Sequence, residues 1–325
     1  MRRIAAVLAV PILAAVALAG CGSSGSSSGG SGSANQSVTV SGAFGKAPTV
    51  KIPAEKAGSN LVTRTEVQGS GPVLASSDSF VANYVVYIWS GTTHKLALST
   101  FTSTPQLLSG TLLPGLETAL RGKKIGSRVL AVIPPKYGYG TSGNAQAGVT
   151  GTDTLVFVID MIKSFAPDAS AAGSTVSHGG GKLPTVTAAG QGKEPAVTIP
   201  KTSPPSNLVV KTLIKGTGPA VAKGQEVIAQ YVGVNWRTGK TFDASWAHTP
   251  PGPFGFEIGA TPAQIIPGWD KGLLGVPVGS RVLLVIPPKD GYGKAGNSQA
   301  GIKGTDTLVF VVDVLGAFGQ NSSAS

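Results

Sequence analysis

The strongest constraint on the fold is an internal duplication. Residues 126–160 and 279–313 match at 27 of 35 positions, at an offset of 153. Upstream, residues 59–62 match residues 206–209 at an offset of 147, so the second copy carries six extra residues in between. Solenoid repeats are about 20–50 residues long, whereas this period is that of a whole duplicated domain. The sequence therefore predicts two related domains, residues 44–166 (domain 1) and 191–319 (domain 2).

The secondary-structure pattern predicts an α+β fold in each domain. Five apolar, β-branched segments bounded by glycine and proline predict strands in domain 2, at 208–214, 226–234, 254–258, 281–286 and 307–315. Residues 269–274 predict the helix of domain 2, and residues 116–120 predict its equivalent in domain 1. These helices are too short for the crossovers that parallel strands need, so we expect an antiparallel sheet wrapped around one short helix.

Composition excludes several kinds of functional site. The chain of 325 residues has one cysteine and three histidines, which rules out a disulfide framework and makes a metal centre improbable. A G-x-G-x-x-G pattern occurs at 138–143 and again at 291–296, but no helix follows either copy to receive a phosphate. We therefore expect neither a metal nor a cofactor. We also expect the three histidines to lie on the surface, because none recurs between the copies.

The first 21 residues predict export. Met1-Arg2-Arg3 precedes an apolar run, which ends in Leu18-Ala19-Gly20-Cys21. This ending resembles the lipobox of bacterial lipoproteins, in which the cysteine is lipidated; an ordinary signal peptide with an incidental cysteine is the alternative. The resemblance implies a lipid anchor on Cys21 and a location at the extracytoplasmic face of the cell membrane.

Three further segments complete the predicted domain organisation. Residues 22–43 are rich in serine and glycine and predict a flexible tether, and residues 167–190 predict a linker between the domains. Residues 320–325 form a short tail. The formal net charge of +11 is scattered without a basic run, so we expect no nucleic-acid partner. We expect the protein to be a monomer.

Six short strings in domain 2 carry a family resemblance. They occur in one order at consistent spacing and closely resemble the FK506-binding (FKBP-type) peptidyl-prolyl cis-trans isomerases. The strings are Gln230-Tyr231-Val232-Gly233, the segment 239–245 with Phe242-Asp243, Ile265-Ile266-Pro267-Gly268-Trp269, Val278-Gly279-Ser280-Arg281, the segment 286–293 with Tyr292, and Leu308-Val309-Phe310. The resemblance covers nearly all of domain 2, and the family's fold, a sheet around a short helix, agrees with the predicted elements.

The resemblance also implies a substrate pocket. Trp269 would form its floor, the Ile266 backbone N–H and the Tyr292 hydroxyl would donate to peptide carbonyls, and Asp243 would lie at the rim. Ile302 would close the far side. The walls would be Tyr231, Phe242, Phe254, Ile265, Ile266 and Phe310. The alignment leaves open whether Phe254 or Phe256 is the wall residue.

Such a site needs no nucleophile, because no bond is broken. An Xaa-Pro bond isomerises in tens of seconds unaided, over a barrier of about 20 kcal/mol. A dry apolar pocket destabilises the planar, more dipolar amide relative to the twisted one, which lowers that barrier.

Domain 1 departs from the family pattern. Residues 94–99 replace the Phe242-Asp243 segment, and Leu116 stands where domain 2 has Trp269. We expect domain 1 to adopt the same fold with little or no isomerase activity.

Two functions follow from these features. The first is a membrane-tethered isomerase that acts on proline-containing segments of exported proteins, with domain 2 as the active domain. The alternative is a non-catalytic lipoprotein that binds peptides or a protein partner in similar pockets.

Overall fold

The computed structural model describes residues 34–176, 181–187, 190 and 192–319. The predicted signal with Cys21, the first part of the tether, His178 and the tail 320–325 lie outside the described residues. Within the described ranges, no helix is long and apolar enough to cross a membrane.

Domain 1 is a six-stranded sheet preceded by a β-hairpin. The hairpin strands are β1 (Thr39–Ser41) and β2 (Thr49–Lys51). The sheet strands are β3 (Val62–Val67), β4 (Ser79–Ser90), β5 (Thr93–Ser99), β6 (Gln106–Leu108), β7 (Arg128–Ile133) and β8 (Thr154–Phe165). Helix α1 spans Pro114–Leu120, and 3-10 helices span Ala34–Ser37, Pro135–Tyr137, Gly140–Ser142 and Ala145–Ala147.

Domain 2 repeats this arrangement. Its hairpin strands are β10 (Thr185–Thr187) and β11 (Ala196–Thr198). Its sheet strands are β9 (Ser174–Thr175), β12 (Val209–Lys215), β13 (Glu226–Asn235), β14 (Thr241–Ala244), β15 (Phe254–Glu257), β16 (Arg281–Ile286) and β17 (Leu308–Phe318). Helix α2 spans Pro267–Leu273, and 3-10 helices span Ser245–Ala247, Pro288–Asp290, Gly293–Ala295 and Ser298–Ala300.

The two sheets share one topology, in which every strand pair is antiparallel. The strand order is β3-β7-β8-β4-β5 in domain 1 and β12-β16-β17-β13-β14 in domain 2. The short strands β6 and β15 pair with the beginnings of β4 and β13, and β9 pairs with the outer edge of β12. The predicted α+β fold, with one short helix per sheet, is therefore confirmed.

Helix α2 lies unusually close to its sheet. Pro267 at its first position has no N–H to leave unsatisfied, and Ile266 before it is extended. Two glycines face the sheet: a Cβ on Gly268 would lie 2.5 Å from Ile286 Cγ2, and one on Gly272 would lie 2.8 Å from Leu284 Cδ2. The missing side chains allow the helix to seat Trp269 against the sheet.

Both faces of each sheet are covered. In domain 2 the inner face packs against α2, while the outer face, with Val285 and Val309, packs against Val186 and Val197 of the β10–β11 hairpin. In domain 1 the β1–β2 hairpin covers the outer face in the same way. This explains why the central strands are continuous apolar runs, because neither face meets solvent.

The predictions of a flexible tether to residue 43 and of a linker over 167–190 are wrong for the segments that the structure describes. Val38 is completely buried against domain 1. The buried Arg128 donates to the carbonyl oxygen of Gly42 at 2.8 Å, and in domain 2 the Ala171 N–H donates to the buried Asp313 carboxylate at 2.8 Å. Composition predicted loops here because it does not register hydrogen bonds to charges buried elsewhere in the chain.

The two domains meet through equivalent apolar strand ends. Phe165 of β8 and Phe318 of β17 pack edge to face with ring centroids 6.3 Å apart, and Val81, Ile162 and Ile228 complete the contact. The domains approach closely at Gly255, where a Cβ would lie 2.9 Å from Leu107 Cβ. The interface therefore juxtaposes the β6 edge of domain 1 and the β15 edge of domain 2.

Candidate functional site

Domain 2 contains a cluster of aromatic rings centred on Trp269. The Trp269 ring lies 5.3 Å from that of Tyr231, 5.2 Å from that of Phe310 and 5.2 Å from that of Phe256, each edge to face. Phe242 joins the cluster through Phe310 at 5.5 Å. Trp269 is 4% exposed and lies at the bottom of the cluster.

The half-buried residues around this floor form the edge of the site. Phe242, Ile265, Ile266 and Tyr292 each pack against the same core and remain partly accessible to solvent. Ile302 is buried in the same cluster. A buried aromatic floor with partly open apolar sides suits an apolar, flat group such as a proline ring.

Asp243 lies at the rim and is held from two sides. The Tyr231 hydroxyl donates to Asp243 Oδ2 at 2.6 Å, and His248 Nε2 lies 2.8 Å from Asp243 Oδ1. Nearly half of each of the Asp243 and His248 side chains is exposed. The carboxylate is thus fixed in direction yet open to a bound molecule.

The contact of His248 with Asp243 was not predicted. His248 lies at the surface as expected, but it also faces the Tyr231 ring at 6.2 Å and takes part in the site. Its spacing of five residues from Asp243, across the 3-10 helix Ser245–Ala247, is the only sequence signal that pointed to this pairing.

Gly233 makes room for the rings of domain 2. A Cβ at this position would lie 2.7 Å from Phe242 Cζ and 2.8 Å from Phe310 Cε1. Domain 1 has Val86 at the equivalent position of β4, opposite Leu98 rather than Asp243. The glycine was part of a family string, but its steric role becomes visible only in the packed domain.

The structure separates the roles of the two phenylalanines of β15. Phe256 is completely buried beneath Trp269. Phe254 is 40% exposed at the rim, with its ring 6.1 Å from that of Tyr231. Of the two, Phe254 is therefore the residue that a bound molecule can touch.

Three donors remain available near the cluster. Among the described residues, neither the Ile266 backbone N–H nor the Tyr292 hydroxyl has a hydrogen-bond partner. The buried indole N–H of Trp269 also lacks one. The Ile266 N–H and the Tyr292 hydroxyl belong to half-buried residues that solvent reaches, so they are open to an acceptor supplied by a ligand. The Trp269 N–H is buried without a partner, which is rare in proteins.

The equivalent region of domain 1 has a different chemistry. Its buried residues are Tyr84, Leu116, Val149 and Phe157, and in the described part of this domain no ring pair joins the aromatic ones. The Tyr84 hydroxyl donates to Gln106 Oε1 at 2.6 Å instead of to a carboxylate. Burial, and secondarily the charge of Glu226, raises the pKa of Tyr84 to about 12. Domain 1 thus lacks both the rim acid and the tryptophan floor.

All ten residues predicted for the domain 2 site lie in or against one cluster, and the described residues hold no group of three or more potential metal ligands. The family model of the FKBP-type peptidyl-prolyl cis-trans isomerases matches residues 73–162 and 218–315, more than half of the chain. The chain belongs to this family. It is accordingly an enzyme that isomerises Xaa-Pro peptide bonds, built from two FKBP-like domains.

Two relatives and one solved structure match a length of about one domain. The FK506-binding protein of Streptomyces anulatus is 41% identical over 123 residues, which cover 38% of this chain and 96% of that protein. A probable FK506-binding protein of Corynebacterium glutamicum is 35% identical over 125 residues, 38% of this chain and 99% of the relative. The crystal structure of Escherichia coli FkpA is 36% identical, with a TM-score of 0.31, and the match covers 35% of this chain and 49% of that one.

Proposed function

We propose that domain 2 is the catalytic domain of a prolyl isomerase that acts on exported proteins at the outer face of the membrane. The observation that carries this assignment is the Trp269 cluster with the fixed Asp243 carboxylate at its rim, which domain 1 lacks. Domain 1 has the same fold without that site, so its role is different.

The mechanism that this geometry supports is noncovalent. The proline ring would rest on Trp269 between Tyr231 and Phe310, away from water. The Ile266 N–H and the Tyr292 hydroxyl would hold the peptide carbonyls on either side, so that the Xaa-Pro bond twists between two fixed points. Hydrogen bonds that fit the twisted amide better than the planar one lower the barrier.

Two matched substitutions in the full chain test the assignment. Tyr292→Phe removes a hydroxyl from the domain 2 site, and Tyr139→Phe makes the same change at the equivalent position of domain 1. In a protease-coupled assay with a proline tetrapeptide, we expect Tyr292→Phe to lower kcat/KM roughly fivefold to tenfold, the value of one hydrogen bond. We expect Tyr139→Phe to leave it unchanged.

Trp269→Leu gives domain 2 the residue that domain 1 carries at this position, and we expect it to reduce kcat/KM by about tenfold or more. Thermal unfolding midpoints establish that each variant is folded. Equal losses in the two tyrosine variants, or full activity in Trp269→Leu, would show that catalysis does not reside in domain 2.

We also propose that Cys21 carries the lipid that tethers the enzyme. The Leu18-Ala19-Gly20-Cys21 string supports this proposal. Expression in a bacterium followed by fractionation tests it: the unaltered chain should sediment with membranes and incorporate labelled fatty acid, whereas Cys21→Ser should do neither. Equal labelling of the two chains would rule out Cys21 as the lipidated residue.

A further inference from the structure

A groove between the two domains runs beside the isomerase site. Its volume is about 250 Å³, and it is lined by Ser77, Ser79 and Ser109 of domain 1 and by His248 and residues 250–254 of domain 2. We propose that this groove binds the polypeptide that flanks the Xaa-Pro bond, so that domain 1 supplies one wall of an extended substrate site. The inference rests on the proposed catalytic role of domain 2.

The groove owes its existence to the loop between β14 and β15, in the region where domain 2 carries its six extra residues. Ser245 fastens the start of this loop to β13: its hydroxyl accepts from the Tyr231 N–H at 2.8 Å, and its carbonyl accepts from the Gly252 N–H at 3.3 Å. Gly252 then reaches domain 1, where its Cβ position would lie 3.6 Å from Ser79 Oγ. The loop therefore spans the distance from the catalytic rim to the neighbouring domain.

The groove and the isomerase site share two residues. His248 lines the groove and lies 2.8 Å from the rim carboxylate of Asp243. Phe254 also lines the groove, and its ring lies 6.1 Å from that of Tyr231 at the pocket edge. A peptide that leaves the pocket past His248 and Phe254 enters the groove directly.

The chemistry of the lining suits an uncharged extended backbone. Serine hydroxyls both donate and accept, as a peptide backbone requires, while the prolines at 250, 251 and 253 and the exposed Phe254 ring offer apolar contact. Arg121 is not a free cation, because it donates to Glu117 and to the carbonyl oxygens of Ala75 and Asp78. Asp78 also lines the groove and adds a carboxylate, so the groove is fitted to polypeptide without negative charge and not to an anion.

The apolar domain interface positions the two walls. Phe165 and Phe318 pack at the same edges from which the groove opens, and Glu226 of β13 lies beside the Leu107 backbone of β6 across the boundary. Strand β4 begins at Ser79, beside the groove, and strand β13 begins at Glu226, beside the domain interface. The pairing of these strands within their sheets therefore fixes the position of both groove walls relative to the interface.

Peptides of increasing length test the proposal on the unaltered chain. We compare a proline tetrapeptide with peptides that extend it by six neutral residues on the amino side or on the carboxyl side. Remote binding energy raises kcat/KM, so we expect one extended series to exceed the tetrapeptide by about tenfold. If neither extension raises kcat/KM, the groove does not bind substrate.

Ser109→Trp fills the groove, and Thr92→Trp is the matched control. Thr92 lies in the turn after β4, a strand about 36 Å long at the usual rise whose other end lines the groove at Ser79. The readout is the ratio of kcat/KM for the preferred long peptide to that for the tetrapeptide. We expect Ser109→Trp to lower this ratio about tenfold and Thr92→Trp to leave it as in the unaltered chain. A ratio that Ser109→Trp does not change overturns the proposal.

A photoreactive residue in the long peptide separates binding from catalysis. Cross-links to residues 76–79 or 109–110 would support the proposal that the groove binds substrate, and cross-links confined to domain 2 would overturn it. This readout does not depend on turnover: an unaltered chain that accelerates neither peptide refutes the proposed catalysis, while the labelled segment still decides the groove.

Discussion

Glu226 provides the most informative perturbation, because its carboxylate is half-buried at the domain boundary. It lies beside the Leu107 backbone and has no ion-pair partner among the described residues, while Glu257 stands opposite it on β15. Burial raises its pKa from 4.5 to about 7, and repulsion from Glu257 adds to this effect. Each pKa unit is worth about 1.4 kcal/mol, so ionised Glu226 costs the native state about 3 kcal/mol.

The sign of the pH dependence follows from this raised pKa. Between about pH 4.5 and pH 7 the native state holds a proton that the unfolded chain has lost, so stability falls as the pH rises through this window. Above pH 7 Glu226 is ionised in both the native and the unfolded state, so it causes no further loss of stability. Glu226→Gln keeps the size of the side chain and its carbonyl oxygen but carries no charge. We expect the variant to match the unaltered chain at pH 4.5 and to exceed its stability by about 3 kcal/mol at pH 8.

Urea unfolding at several pH values measures this difference. Tryptophan fluorescence follows domain 2, which holds Trp236, Trp246 and Trp269 of the four tryptophans. Glu55→Gln is the matched control, because Glu55 is exposed and should leave the profile unchanged. The reasoning is refuted if Glu226→Gln and the unaltered chain lose stability in parallel from pH 4.5 to 8, or if the variant is the less stable one at pH 8.

Three further substitutions test other parts of the molecule. Asp313→Ala should lower the free energy of unfolding in urea by about 3–5 kcal/mol, because it leaves the buried charge of Arg281 unpaired. The Arg281 Nε lies 2.6 Å from Asp313 Oδ1 inside domain 2. Asp243→Ala should lower tetrapeptide kcat/KM about tenfold by removing the charged acceptor of Tyr231, with little change in stability because the carboxylate is half exposed. Phe165→Ala should lower the free energy of unfolding by about 3–5 kcal/mol, since it leaves a cavity in the domain interface. The adjoining segments should then be cleaved more readily by protease.

Each of these outcomes has a contrary result. A small loss of stability in Asp313→Ala would mean that the Arg281 guanidinium regains contact with water at little cost in free energy. Full activity in Asp243→Ala would remove the rim acid from the mechanism. Unchanged stability and protease resistance in Phe165→Ala would show that the domains do not depend on this contact.

Much of domain 2 could be predicted from local patterns. Strand β16 matches its predicted limits, and α2 lies within two residues of the predicted helix, since apolar periodicity and flanking proline or glycine act over short distances. The site residues came from family strings, and they lie in or against one cluster. By contrast, the segments that composition assigned to a tether and a linker contain strands, because Thr39–Ser41 and Thr185–Thr187 pair in two-stranded hairpins. These hairpins pack against the outer faces of the main sheets.

The amino-acid sequence by itself determined that the chain is two copies of one FKBP-like domain and that only the second keeps a tryptophan and an acid for its pocket. The packed domains alone show that Phe254 and not Phe256 meets the solvent, that His248 contacts Asp243, and that Glu226 lies half-buried beside Leu107 of the other domain. The physical reason is that these contacts depend on loop paths and domain packing. Contacts of this kind leave no periodic trace in the residues that make them.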